Sequence, residues 1–236
     1  MYKPILIVPD VHGRNFWEPA LEYEGEVVFL GDYLDPYSSE GISAAQALET
    51  FLKILDFKKQ NPDRVTLLTG NHELHYYDTK YRCTRFNYSV FEVVHSILTD
   101  DDTKDLFSVC RLTGKAIFVH AGILGGWHRR HAERLAGLGS VIDEQLNRLF
   151  AVDKEPFGEV SYLYRGGSDD YGSPLWADFK EILYEREAFA PDFVQVVGHT
   201  QFPTSSEPIV HKNIRLIDNR RLYLLERNCG LSSYGQ

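Results

Sequence analysis

At 236 residues the chain suits one domain, or a domain with a small insertion, and 43% hydrophobic residues supply a large core. A formal charge of −9 excludes non-specific nucleic-acid binding, which needs a basic face. Three cysteines without CxxC spacing exclude a disulfide framework, and the single short apolar run near the N-terminus reads as neither a signal peptide nor a membrane span, so a reducing, cytoplasmic location is expected.

The first predicted element is the apolar run ILIV (5–8), which stops at PDVHG (9–13). A second run, VVFL, ends on Gly31 and Asp32, with Asp35 three residues later. Isolated buried carboxylates are costly unless a cation or partner compensates them, so two acids at a strand end suggest a metal. Next comes a helix: Ser43 and Gln46 form a capping box, Ala44, Ala47, Leu48, Phe51, Leu52 and Leu55 form an apolar stripe, and Asn61-Pro62 ends it. VTLL then leads into GNHE (70–73), completing a strand–helix–strand unit with a parallel pair.

Further along, SVFEVVHSIL and SVIDEQLNRLF read as helices, AIFV runs into HAG (120–122), and YRGGSDDYGSP reads as a loop. FVQVV runs into GHT (198–200). IRLID (214–218) and RLYLLE (221–226), separated by Asn219 and Arg220, are predicted to form a hairpin. Residues 74–110 and 123–175 are less regular and read as cleft walls within a single domain spanning 1–236.

Five strand ends thus present Asp10, His12, Asp32, Asp35, Asn71, His72, His120 and His199. In a mainly parallel sheet such ends share an edge, where open α/β sheets carry their sites. Imidazole, carboxylate and amide oxygen together suit Mn²⁺, Fe or Zn²⁺ better than Ca²⁺. One shared aspartate can join two such metals about 3.5–4 Å apart.

The five motifs, in this order, resemble the calcineurin-like metallophosphoesterase superfamily, and most closely its phosphoprotein (Ser/Thr) phosphatase branch. GSPLWADF (172–179) is similar to a segment of that branch as well. The resemblance implies a mixed α/β fold, a four-layer α-β-β-α sandwich of two mixed sheets. It also implies two divalent metals, with Asp10 and His12 on the first, Asp32 bridging, and Asn71, His120 and His199 on the second. His72 would be the general acid, with Asp35 fixing its tautomer and raising its pKa, while a metal-activated water attacks a phosphate monoester.

The expected substrate is a phosphorylated protein or a small phosphate ester, with neither a nucleic-acid polymer nor a membrane as partner. A diadenosine tetraphosphatase or other nucleotide phosphohydrolase is the alternative, and HAGILGGW (120–127) leans that way. A non-catalytic scaffold predicts eroded ligands, whereas every matched position is filled.

Two departures stand out. Pro9 replaces the first motif's glycine, and Pro36 and Tyr37 replace the Arg-Gly of the second motif, whose arginine clamps phosphate. Arg165 and Arg186 are candidate substitutes, with Arg82 and Arg85 as others. The remaining features have plainer readings: His128 and His131 as a solvated helix face, His75 as either a surface residue or one approaching the cleft, and Cys83 as no nucleophile.

Overall fold

A computed structural model describes residues 3–185, 189–202 and 204–235. In chain order the strands are β1 (Ile5–Val8), β2 (Val27–Phe29), β3 (Val65–Leu68), β4 (Phe107–Ser108), β5 (Cys110–Thr113), β6 (Ala116–Val119), β7 (Val194–Val197), β8 (Ile209–His211), β9 (Ile214–Leu216), β10 (Tyr223–Leu225) and β11 (Leu231–Ser233). The helices are α1 (Ala44–Gln60), α2 (Asn71–Tyr77), α3 (Tyr88–Thr99), α4 (Gly125–Ala136), α5 (Ile142–Val152) and α6 (Phe179–Tyr184). The protein is therefore mixed α/β with two mixed sheets. The chain divides into two compact units, one formed by the segments up to Ser108 and from Arg220 onward, the other by Val109–Asn219. Among the described residues, no helix is long and apolar enough to cross a membrane.

The first unit holds a six-stranded sheet in the order β11-β10-β1-β2-β3-β4. β1, β2, β3 and β4 run parallel, whereas β10 is antiparallel to both β1 and β11. Val8 pairs with Phe29 and Phe29 with Leu67, so these strands end level and the three following loops leave from one edge. The capping box of Ser43 and Gln46 starts α1 as expected, and Asn61 ends it. Its Ala47, Phe51 and Leu55 pack against Val27, Phe29 and Leu67 in one apolar cluster. Leu52, assigned to that stripe from the sequence, is 38% exposed, and Ile54 and Phe57 take the core positions instead.

The second unit holds a five-stranded sheet in the order β5-β6-β7-β9-β8, with β6, β7 and β9 parallel. Phe118 pairs with Val196, which levels the ends of β6 and β7 and sends the HAG and GHT turns off the same edge. The Asn147 side chain of α5 accepts from the Val109 and Cys110 amides and donates to the Cys110 carbonyl, fixing the start of β5.

Two expectations are corrected. β9 and β10 do not form a hairpin: β9 pairs with β7 and β8, while β10 pairs with β1 and β11 in the other sheet. The two-residue gap is where the chain passes from one sheet to the other. His131 is not solvated but buried, with Nε2 3.0 Å from Glu159 Oε1.

Candidate active site

In the first unit, two motif loops approach each other at their glycines. Gly31 has φ +104°, and a Cβ there would lie 2.5 Å from the Gly70 nitrogen. A Cβ on Gly70 would lie 2.2 Å from Asp32 Oδ1. Into this narrow join comes Glu73, whose carboxylate accepts from the backbone amides of Asp32, Tyr33 and Gly70 at 2.8, 2.9 and 2.9 Å. The His72 amide donates to Asp32 Oδ1 at 3.0 Å. Asp32 is thereby aimed by backbone contacts from the neighbouring loop.

The backbone is strained where these side chains are delivered. His12, Asp32, Asp35 and His199 have φ of +47°, +53°, +58° and +67°. Few residues other than glycine occupy this region, and such strain concentrates at functional sites.

Asp10, His12 and Asp32 are almost fully buried and offer ligand atoms within 4.8 Å of one another. Burial, followed by the charge of Asp10, holds the Asp32 carboxyl well above the usual carboxylate range. Burial, then the neighbouring His72, pushes His12 well below the ordinary histidine value, so its ring is neutral. His12 Nδ1 donates to the Leu34 carbonyl at 2.7 Å, which leaves the Nε2 lone pair 3.5 Å from Asp32 Oδ2. Two electron-rich atoms held this close in a buried site fit a cation between them.

Beside this cluster stands a second constellation, its His72 ring 5.1 Å from His12 in edge-to-face contact. His72 Nδ1 lies 2.8 Å from Asp35 Oδ2, and His75 Nε2 lies 2.6 Å from the same oxygen. The Tyr76 hydroxyl donates to Asp35 Oδ1 at 2.6 Å. Burial acts to raise the Asp35 carboxyl, but hydrogen bonds from His72 and His75 outweigh it and leave its pKa lowered. For His72 the balance runs the other way. Burial lowers its pKa to about 4 although Asp35 pulls it up, so the aspartate fixes the tautomer without raising the net value. Arg85 Nη2 sits 2.8 Å from His72 Nε2.

Cys83 Sγ lies 3.1 Å from His75 Nδ1, and burial pushes its thiol far up, which suits a hydrogen-bond donor and not a nucleophile. Asn71, the first residue of α2, is also buried.

In the second unit, His120 Nε2 and His199 Nδ1 are 3.1 Å apart. That is close to the spacing of two nitrogens each bound at about 2.1 Å to one metal. Trp176 meets the His199 ring edge-on at 5.9 Å. Arg165 is held by Asp178 (Nε to Oδ2, 2.8 Å) and donates to Thr200 Oγ1 at 3.1 Å, next to His199 in the chain. Arg186 lies outside the described residues.

Sequence reasoning missed the parts played by Glu73, His75, Tyr76 and Tyr37. Only two had a local signal: Glu73 stands at capping-box spacing from Gly70, and His75 falls on the His72 face of α2.

A family model described as calcineurin-like phosphoesterase matches residues 3–203. A catalytic subunit of serine/threonine-protein phosphatase 6 from Drosophila melanogaster is 34% identical over 76 residues, which is 30% of this chain and 23% of that protein. A phosphatase 4 catalytic subunit from Saccharomyces cerevisiae is 37% identical over 76 residues, 30% of this chain and 22% of its own. The matched stretch thus spans under a quarter of either relative's length. Among solved structures, a cold-active protein-tyrosine phosphatase of a psychrophilic Shewanella species aligns over 99% of this chain and 80% of its own, with TM-score 0.60 and 17% identity. A Saccharomyces cerevisiae serine/threonine phosphatase aligns over 94% and 72%, with TM-score 0.51 and 14% identity. At these identities the two structures speak for the fold.

Proposed function

The chain belongs to the calcineurin-like phosphoesterase family, and from that premise we propose that it is a phosphate-monoester hydrolase using two divalent metals, a protein phosphatase of the Ser/Thr type. Residues 1–236 act on this reading as one catalytic domain, in a reducing, cytoplasmic setting suited to three free cysteines. The substrate is a phosphorylated protein or a small phosphate ester. The observation that carries the reading is the buried Asp10–His12–Asp32 cluster lying against the Asp35–His72 pair.

Asp10, His12 and Asp32 hold the first metal. The motif order assigns Asn71, His120 and His199 to the second, with Asp32 shared. Manganese suits this mixed oxygen and nitrogen set, and iron or zinc is compatible with it. When bound, such metals supply Lewis acidity and a nucleophilic water at neutral pH. The chain's own groups do the rest. The negative charge of a bound phosphate ester favours the doubly protonated His72 ring, which gives its Nε2 proton to the departing oxygen and returns to the neutral form with Nδ1–H still held by Asp35.

The test is turnover by Mn²⁺-loaded protein of p-nitrophenyl phosphate, a phosphoserine peptide and diadenosine tetraphosphate, alongside Asp32→Asn. Monoester hydrolysis that disappears in Asp32→Asn supports the proposal. Hydrolysis that survives this substitution removes the site, and a clear preference for the dinucleotide makes the protein a nucleotide phosphohydrolase.

A further inference from the structure

The second motif's departure, Pro36-Tyr37, has a counterpart in the loop that follows α2. The Arg85 guanidinium lies over the Tyr37 ring, its Cζ 3.6 Å from the ring centroid, well within cation–π range. Its Nη2 donates to His72 Nε2 at 2.8 Å, while its buried Nε has no hydrogen-bond partner among the described residues. Arg85 itself has φ +65°, a strained backbone held in place by these contacts.

His72 Nε2 is the atom that delivers the proton in the reaction proposed above. A cation bonded to it occupies the position that a departing ester oxygen must reach. Nε and Nη2 lie along one edge of a planar fork, the geometry that takes two phosphate oxygens at once. An incoming phosphoryl group can therefore take the Nη2 donor from His72, satisfy Nε and leave His72 Nε2 free to bind the proton that it passes to the ester oxygen. A fork that takes two oxygens leaves a monoester one further unesterified oxygen and leaves a diester none.

We propose that Arg85, carried on the Tyr37 ring, grips the phosphoryl group of the substrate and selects monoesters over diesters. The assignment rests on the phosphoesterase reading above. It gives Tyr37 a definite task, to hold the guanidinium beside His72 where proline has removed the motif's own arginine.

The experiment compares wild type, Arg85→Ala, Arg85→Lys and Tyr37→Leu, all Mn²⁺-loaded, on p-nitrophenyl phosphate and bis(p-nitrophenyl) phosphate. Inorganic phosphate serves as competitive inhibitor, and thermal melting confirms folding. In Arg85→Ala the monoester KM and the phosphate inhibition constant rise, and the monoester-to-diester preference falls by about tenfold or more. Added guanidinium restores part of the monoester rate, Arg85→Lys recovers less than the full preference, and Tyr37→Leu shifts it in the same direction. A smaller fall in preference in a folded Arg85→Ala protein overturns the assignment and leaves the phosphoesterase reading standing. A wild type inert toward both esters overturns that reading, and the assignment with it.

Discussion

The carboxylate of Glu73 holds the backbone amide of Asp32 at 2.8 Å. Two more amides, those of Tyr33 and Gly70, point at the same carboxylate, which lies at 0% exposure. In Glu73→Gln an NH₂ group replaces one acceptor and confronts backbone donors. Leaving buried donors unmet costs about 1–3 kcal/mol. Urea unfolding of the metal-free variant should show a loss in that range, and metal titration should show weaker binding. Stability within about 0.5 kcal/mol of wild type is the result that contradicts this role.

Gly70→Ala tests the join between the two loops. The new methyl falls 2.2 Å from Asp32 Oδ1, and the Asp32 amide is only 2.6 Å away, so Asp32 must be displaced. We expect a loss of about 2 kcal/mol or more in stability together with weakened metal uptake, measured by melting and by elemental analysis of the purified protein. Normal metal content in Gly70→Ala would show that the close approach does not govern the ligand.

Asp35→Asn removes the charge that takes contacts from His72, His75 and Tyr76. A neutral amide no longer stabilises the doubly protonated His72 ring, and by presenting its NH₂ to Nδ1 it opposes protonation there. The expected result is a fall in kcat of about 10²-fold or more with little change in KM. A KM effect alone would place Asp35 in binding and not in orienting the acid.

His72 ties stability to pH. Its folded pKa of about 4 lies below the ordinary value of 6.5, so the unfolded chain binds the extra proton throughout the interval between them. In metal-free protein the neutral ring costs nothing above about 6.5 and penalises the fold progressively as the pH falls toward about 4. Wild type should therefore lose up to roughly 3 kcal/mol relative to His72→Asn across this interval, read by urea unfolding at several pH values. A gap that stays constant with pH would show that the ring is not held neutral by burial.

Much of this was legible in the residues because its causes are local. Apolar runs broken by glycine and followed by Asp, Asn or His gave the strands and their polar ends, and the Ser43–Gln46 pair gave the start of α1. What stayed hidden depends on partners far away in the chain. Tyr76 and Glu73 reach Asp35 and Asp32 across 41 residues. His75 suits a surface or a cleft position equally by its polarity, and burial against Asp35 and Cys83 decides for the cleft side. The hairpin reading of 214–226 followed sequence proximity, whereas pairing of such short strands is decided by which sheet has an open edge. The choice among arginines was equally non-local, since Arg85 is singled out only by where Tyr37 and His72 lie.

The placement of β10 makes the tail of the polypeptide a support for its head. Ile5 lies opposite Leu225 and Ile7 opposite Tyr223, so the strand leading to Asp10 and His12 leans on residues that carry no motif at all. A chain cut after Asn219 keeps every proposed ligand and every recognisable signature, yet leaves β1 without one of its two neighbours. Loss of cation uptake in such a truncated protein is the signature to look for, and trimming guided by motif boundaries alone would produce it unawares.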